Sequence, residues 1–282
     1  MKIQSSELPL NADGSVYHLN LLPQDIGETI FLVGDPGRVP LVSQFFDEIL
    51  VTKQKREFIT HTGWLQNKKV SVLSTGIGTD NIDIVLNELD ALVNIDLKER
   101  SIKKETKSLK LIRLGTSGSL NPEIKVGDFI LSQSGIGFDG MMNFYPQHQD
   151  SAIKEKISKG LENPVILNLM YAADADNALL QHFKSVGRVG VTGSLSGFYG
   201  PQGRQVRLKC VEGDFLADLN KVGIDNFEME TSAIYALSKL LGHQALSINC
   251  IIANRTTGKF LENYQPKVKE MIQKSLYLLQ NF

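Results

Sequence analysis

Short apolar runs rich in β-branched residues alternate with helical patterns along this 282-residue chain. Such runs are typical of buried strands. They are TIFLVG (29–34), KVSVLSTG (69–76), LKLIRLG (109–115), RVGVTG (188–193) and ALSINCIIAN (245–254). Apolar residues three and four apart predict helices over 82–93, 229–241 and 268–279. The alternation predicts a largely parallel sheet covered by helices, in a single α/β domain over residues 1–282.

Composition narrows the class of protein. A net charge of -1, with 42% hydrophobic and 22% charged residues, is typical of a globular protein and argues against nucleic-acid or membrane binding. The first residues contain no apolar run that resembles a signal peptide, which favours a cytoplasmic location. Only Cys210 and Cys250 are present, without metal-ligand spacing, so we expect no metal site.

The segment FLVGDPGRV predicts a strand that ends at Gly34 and a helix that carries Arg38. Free amide groups at a helix N-terminus, together with a guanidinium, form an anion site. A tight turn with a surface arginine explains the same residues, and both interpretations stay open.

A second anion site is predicted in LKLIRLGTSGSL, where Arg113 interrupts an apolar strand. A buried arginine needs an anionic partner. We expect Gly115, Thr116, Ser117 and Gly118 to form a turn that binds phosphate oxygens.

Arg56 in KQKREF is a third candidate, with an ordinary charge on a basic surface strand as the alternative. Other phosphate motifs are weaker: the chain has no P-loop, and its one GxGxxG, residues 135–140, is not followed by a convincing helix.

The segment NFEMET predicts a helix that opens with Glu228, Met229 and Glu230, with Asn226 as its N-cap. Acidic residues in a first helical turn are common. The same three side chains also suit a sugar, because a carboxylate accepts hydrogen bonds from two hydroxyls while a thioether packs on the ring.

The loop GFYGPQGRQVRL combines Phe198, Gln202 and Arg204 among turn-forming residues. A flat ring, an amide and a guanidinium match the face, carbonyl oxygens and N–H of uracil. An exposed polar turn is the alternative.

Together the blocks VGDPGRV, REF, STGIGTDN, RLGTSGSL, GFYGPQGRQ, FEMET and ANRT resemble the nucleoside phosphorylase family, and within it the branch that acts on uridine. The resemblance implies a phosphorylase/hydrolase-like α/β fold with a twisted, mixed, barrel-like central β-sheet flanked by helices. It also implies a homo-oligomer, at least a dimer and in some members a hexamer, with active sites at the dimer interface.

The resemblance also implies roles for individual residues. Phosphate would be held by Gly34, Arg38, Arg113 and Thr116, with Arg56 from a neighbouring subunit. Ribose would contact His18 of the neighbour, Glu228, Met229 and Glu230. The base would be held by Phe198, Gln202, Arg204 and Arg255. Arg113, Glu230, Arg204 and Gln202 would carry the catalysis.

Two positions depart from relatives in the family. Purine-specific members carry an aspartate after the last strand, where this chain has Asn254, and an amide cannot protonate a purine. Thr79, Asp80 and Asn81 replace a Gly-Pro-Ser type sequence whose serine helps bind potassium at a dimer interface, which argues against that ion here. The charged run at 97–110 is predicted to be a solvated loop or helix end.

The expected reaction is reversible attack of inorganic phosphate on uridine, giving uracil and ribose 1-phosphate, with phosphate as co-substrate and no cofactor. The alternatives are a nucleosidase that uses water, and a non-catalytic protein that binds or stores nucleosides.

Overall fold

The computed structural model describes residues 2–146, 151–161, 163–210 and 215–282. The chain forms two compact units. Unit 1 comprises Met1–Ile112 and Leu240–Gln244, and unit 2 comprises Arg113–Lys239 and Ala245–Phe282. The prediction of a single domain over residues 1–282 stays a prediction. Among the described residues, no helix combines the length and the apolar character needed to cross a membrane.

The described part of unit 1 contains four strands of the main sheet, two α-helices and a small two-stranded sheet. Its elements are β1 (Thr29–Val33), α1 (Arg38–Ser43), β2 (Glu48–Lys55), β3 (Phe58–Leu65), β4 (Lys68–Ser74), α2 (Thr79–Asn94), β5 (Ile95–Asp96) and β6 (Ser101–Ile102). Strand β7 (Lys110–Ser119) begins in unit 1 and continues into unit 2.

The strands of unit 1 lie in the order β1-β4-β3-β2. Strands β1 and β4 are parallel, whereas β4, β3 and β2 are antiparallel neighbours. Only two residues separate β2 from β3, and two separate β3 from β4. Such short loops can join only antiparallel strands. The prediction of a largely parallel sheet is therefore wrong, because apolar strand patterns do not reveal the hairpins between them.

The remaining elements belong to unit 2, except that Leu240, Leu241 and Gln244, at the end of α7 and the start of β12, belong to unit 1. They are β8 (Phe129–Gly137), α3 (Ala152–Ser158), α4 (Pro164–Leu169), β9 (Tyr171–Asp174), α5 (Asn177–Phe183), β10 (Arg188–Ser194), α6 (Phe215–Lys221), β11 (Asn226–Glu228), α7 (Thr231–Leu241), β12 (Gln244–Asn254), β13 (Lys259–Phe260) and α8 (Gln265–Gln280).

Five strands of unit 2 form a closed set. Neighbours pair in the order β12-β8-β10-β11-β7, and a further pairing of β12 with β7 completes the circuit. The pairs β8–β10 and β10–β11 are parallel, whereas β11–β7 and β12–β8 are antiparallel. The mixed, barrel-like sheet that the family resemblance implied is confirmed in this set of strands.

The five strands predicted from apolar runs all exist, as β1, β4, β7, β10 and β12, and the three predicted helices are α2, α7 and α8. Strand β2 escaped prediction because its residues are half-buried or exposed and several are polar, as in the sequence EILVTKQK. Strand β3 is mostly buried, but its sequence FITHTGWL mixes polar and apolar residues, which weakens the apolar signal of a buried strand.

The charged run at 97–110 is more structured than predicted. Most of its residues are exposed, yet it contains β6, which pairs with β5. Arg100 donates side-chain hydrogen bonds to the carbonyl oxygens of Ile3, at 3.0 Å, Gln4, at 3.1 Å, and Leu8. The backbone of Arg100 also accepts from the amide of Ile3 at 2.8 Å. Arg100 therefore anchors the N-terminal segment, which leads to His18.

Replacing Arg100 with alanine removes three hydrogen bonds to the segment 3–8. We expect backbone amides of that segment to exchange with solvent at least about tenfold faster, with little change in the melting temperature, because terminal segments unfold locally. Hydrogen exchange read by mass spectrometry measures this. Lys104→Ala, an exposed change in the same run, is the control. Equal exchange in both variants would show that Arg100 does not anchor the segment.

Candidate active site

Arg113 lies on β7 and is buried, with 5% of its surface exposed. Its Nη2 atom is 2.9 Å from Glu228 Oε2 and 2.6 Å from Glu230 Oε2. Burial acts to lower the pKa of Arg113, but the two negative charges outweigh it and the pKa is raised. The prediction that Arg113 needs an anionic partner is confirmed. Its partners are Glu228 and Glu230, two of the residues predicted to contact ribose.

The prediction of a turn at residues 115–118 is wrong, whereas the phosphate-binding role of Thr116 stays a prediction. These residues continue β7, and Gly118 pairs with Phe227 of β11. Gly115 has a different role, because a Cβ atom there would lie 2.6 Å from Oδ1 of Asn249 and closer still to the guanidinium of Arg113. The glycine leaves the space that the arginine side chain fills. Thr116 follows in the same strand and is half-buried.

The predicted helix start at 228–230 is also wrong. Asn226 and Glu228 belong to β11, and α7 begins at Thr231. The carboxylate of Glu228 accepts from the backbone amides of Glu230, at 3.1 Å, and Thr231, at 3.0 and 3.1 Å, and from the hydroxyl of Ser194 at 2.7 Å. Glu228 therefore satisfies the amide groups at the start of α7 from the preceding strand. The side chain that binds these amide groups is therefore that of Glu228, and the prediction of Asn226 as the N-cap is wrong.

Met229 is half-buried between two buried glutamates. Glu228 is held by several protein donors, whereas Glu230 contacts Arg113 through Oε2. The ribose-binding roles of Glu228, Met229 and Glu230 stay predictions.

The loop that carries Phe198, Gln202 and Arg204 is called the base loop here, after its predicted role. Contacts between its own side chains organise it. The guanidinium of Arg204 lies 3.8 Å from the ring centre of Phe198 and donates to the carbonyl oxygen of Phe198 at 2.7 Å. It also donates to Oε1 of Gln202 at 2.5 Å. Gln202 is buried in a short 3-10 helix, Gly200–Gln202, whereas half of the surface of Phe198 is exposed. The structure thus brings together the three predicted base-binding residues of this loop.

Arg255 joins the base loop from the end of β12. Its Nη1 atom donates to the carbonyl oxygen of Gln202 at 3.1 Å, and Nη2 donates to that of Gly203 at 3.5 Å. Burial lowers the pKa of Arg204, and the nearby charge of Arg255 lowers it further. Two guanidinium groups therefore surround Gln202, a concentration of positive charge that suits an electron-rich ligand.

Asn254, the last residue of β12, uses its whole amide within the fold. Nδ2 donates to the carbonyl oxygens of Asn121, at 2.9 Å, and Ile124, at 2.8 Å. Oδ1 accepts from the backbone amides of Thr256, at 3.1 Å, and Thr257, at 2.9 Å. Two donors and one acceptor site are needed here, which an amide has and a carboxylate does not.

Gly34 and Arg38 share the turn from β1 to α1 in unit 1. Gly34 follows the last residue of β1, and Arg38 is the first residue of α1 and is buried. The amide of Gly37 donates to Oδ1 of Asp35 at 2.9 Å, which fixes the turn. The predicted strand, turn and helix start are confirmed, and the phosphate-binding role of these residues stays a prediction.

His18 and Arg56 lie on segments of unit 1 that touch each other. Nδ1 of His18 is 2.7 Å from Oε1 of Glu88 on α2. Arg56 is exposed in the loop between β2 and β3, with a φ of 54°. The preceding Lys55 donates to the carbonyl oxygen of Tyr17 at 2.5 Å and lies 4.0 Å from the ring centre of Tyr17. The two residues that the resemblance assigns to a neighbouring subunit are thus carried by adjoining segments.

The departure at 79–81 has a simple structural account. Thr79 is the first residue of α2, and Asp80 is exposed in the first turn, where a carboxylate interacts favourably with the helix N-terminus. Asn81 donates to Oε1 of Glu57 at 3.2 Å.

Sequence reasoning missed Ser194, Ser247 and Asn249, which contact Glu228 or Arg113. Each is a polar residue within an apolar strand pattern. That signal identified Arg113, and applied to β10 and β12 it would have identified these residues as well.

Replacing Asn254 with aspartate would place a carboxylate against two carbonyl oxygens. We expect unfolding free energy to fall by about 3 kcal/mol at pH 7, because two buried hydrogen bonds become repulsive contacts. The loss should shrink toward pH 5, as the carboxyl group takes up a proton and donates again. Urea unfolding at both pH values measures this. Asn281→Asp, an exposed change, is the control, and equal stability of the two variants would contradict the prediction.

Comparison with known proteins identifies the family of this chain. Residues 28–281 match the protein family described as the phosphorylase superfamily. The chain is 30% identical to a uridine phosphorylase of Thermococcus kodakarensis over 265 residues, which covers 92% of this chain and 84% of that protein. It is 28% identical to a DeoD-type purine nucleoside phosphorylase of Listeria monocytogenes, over 86% of this chain and 88% of that protein.

One solved structure is similar to nearly the whole of this chain. The crystal structure of a Trypanosoma brucei nucleoside phosphorylase, described as showing uridine phosphorylase activity, superposes with a TM-score of 0.86 at 27% sequence identity. The superposition covers 98% of this chain and 100% of that one. Because the family match extends over most of its length, the chain belongs to the phosphorylase superfamily.

Proposed function

We propose that this protein is a uridine phosphorylase, which catalyses the reversible phosphorolysis of uridine to uracil and ribose 1-phosphate. The observation that carries the choice of base is the organised loop of Phe198, Gln202 and Arg204, closed by Arg255. Relatives in the superfamily include enzymes for uridine and for purine nucleosides, so the base loop has to decide between them.

The loop supplies hydrogen-bond donors where a departing uracil gathers charge. Arg204 donates to Oε1 of Gln202, which directs the Nε2 group of that amide away from Arg204. As the glycosidic bond breaks, negative charge spreads onto the two carbonyl oxygens of uracil. Donors from Gln202 and Arg204 stabilise that charge without a general acid.

Asn254 supports a pyrimidine over a purine. A purine leaves more readily when its N7 atom is protonated, which requires an acid near the end of β12. Asn254 cannot donate a proton as an acid, and its amide is engaged by four backbone groups.

The sugar would lie against Met229, with its hydroxyls on Glu230, and phosphate would bind Arg113. The phosphate roles of Gly34, Arg38, Arg56 and Thr116 belong to this proposal as well. We further propose a homo-oligomer in which a neighbour contributes His18 and Arg56, without a cofactor, and a role in pyrimidine salvage in the cytoplasm. The exposure of Arg56 supports its use by a second subunit.

Release of free base from uridine, thymidine, inosine and cytidine, each with and without inorganic phosphate, tests the proposed function. We expect uridine to be cleaved at least about a hundredfold faster than inosine, and only with phosphate, because the loop recognises uracil by hydrogen bonds. Cleavage without phosphate would indicate a nucleosidase, and preference for inosine a purine phosphorylase. Absence of cleavage would favour a protein that only binds nucleosides.

Arg204→Ala tests the base loop directly. We expect kcat/KM for uridine to fall by a factor of about 10² to 10³, the usual cost of losing one donor to a developing anion. The melting temperature should change by less than about 3 °C, because the side chain is half-buried in a surface loop. Arg207→Ala, an exposed arginine of the same loop, is the matched control. A large stability loss with little kinetic effect would assign Arg204 to the structure of the turn.

A further inference from the structure

The guanidinium of Arg113 is held at both terminal nitrogens. Nη2 contacts Glu228 and Glu230. Nη1 donates to Oδ1 of Asn249 and, at 3.5 Å, to the hydroxyl of Ser247. Asn249 lies on β12 and is completely buried. A planar group held at two nitrogens cannot rotate in its plane, so the directions of its N–H groups are set.

The chemistry of position 249 is narrowly constrained. Two carboxylates facing one guanidinium leave this buried group with one net negative charge. A third carboxylate would add to that charge, and an apolar side chain would leave Nη1 without its acceptor. An amide oxygen accepts the hydrogen bond and adds no charge. Asparagine therefore gives Nη1 an acceptor without adding further negative charge beside Arg113.

The orientation of the Asn249 amide is also set. Its Nδ2 atom donates to the hydroxyls of Ser132, at 3.3 Å, and Ser247, at 3.2 Å, so that Oδ1 faces Arg113. If the amide rotated by 180°, it would lose these hydrogen bonds, and its Nδ2 donors would face the N–H groups of Nη1. Gly115 leaves the space in which the two side chains meet.

Asn249 begins a chain of buried hydrogen bonds that crosses the closed strands of unit 2. Ser132 and Thr192 share a hydrogen bond of 2.6 Å, Thr192 donates to Asn226 at 2.9 Å, and Asn226 donates to Ser117 at 2.9 Å. The chain takes one residue from each of β12, β8, β10, β11 and β7. Such a fully paired buried network is rigid. It connects Asn249 to the strand that carries Arg113.

We propose that Asn249 is a positioning residue for phosphate: it fixes the guanidinium of Arg113 in the orientation that binds the phosphate co-substrate. This inference rests on the proposed function, because it requires Arg113 to be a phosphate ligand. A fixed guanidinium lowers the cost of ordering phosphate for attack on the sugar. Asn249 itself does not contact the reacting atoms.

Two variants test the role of Asn249. Asn249→Ala frees one side of the guanidinium, and we expect the KM for phosphate to rise about tenfold, as for one lost hydrogen bond to a charged group. The KM for uridine should stay within about twofold, because the base loop is unchanged. Asn249→Asp keeps an acceptor but adds a charge that repels phosphate, so its KM for phosphate should rise further than that of the alanine variant.

The control is Thr192→Val, which removes a buried hydrogen-bonding group of similar shape from the same network. It leaves both acceptors of Nδ2 of Asn249 in place, so we expect a loss of stability with a phosphate KM within about twofold of the wild type. Melting temperatures of all variants are measured beside the kinetics. If Asn249→Ala does not fold, Asn249→Asp, which is close to asparagine in size, carries the test.

A rise in the phosphate KM for the Asn249 variants but not for Thr192→Val supports the proposal. Melting temperatures that fall with an unchanged phosphate KM, or equal kinetic effects in all variants, overturn it and leave Asn249 a structural residue. Failure of the proposed function is distinct, because it appears in the wild type as cleavage without phosphate or as no cleavage.

Discussion

The rest of unit 2 depends on the burial of one charged group, the guanidinium of Arg113, among strands that form a closed set. A buried cation is costly unless anions and hydrogen-bond acceptors surround it. Glu228 and Glu230 supply the charge, and Asn249 supplies a neutral acceptor. Gly115 provides the space. Because Glu228 also binds the amide groups at the start of α7, the same ion pairs connect that helix to the strands.

In the proposed function, positive groups of the base loop and the neutral amide of Asn254 select the base. Arg204 and Arg255 surround Gln202, whose burial keeps its amide in one orientation. Asn254 closes the end of β12 through four backbone hydrogen bonds, a role that excludes an acid at this position. Asn254 therefore stabilises the end of β12 and, as an amide, cannot protonate a purine.

In unit 1 the candidate residues are carried by segments anchored at several points. Arg100 holds the N-terminal segment, Glu88 holds His18, and Lys55 connects the β2–β3 loop to Tyr17. The charged run at 97–110 thus has a structural purpose that its composition does not reveal. The contacts of His18 with Glu88 and of Arg100 with Ile3 join residues 70 and 97 positions apart, and local sequence patterns do not reveal them.

By itself the sequence determined the main strands and helices, because apolar periodicity reflects which face is buried, and it determined that Arg113 must have an anionic partner. It also identified the residues of the base loop. Only the tertiary structure decided that residues 115–118 are a strand, that α7 begins at Thr231 and that the sheet is mixed, because strand direction and helix starts depend on pairing between distant segments. The tertiary structure alone placed Asn249 against Arg113, because the hydrogen-bond partner of a buried polar residue depends on which distant segments the fold brings together.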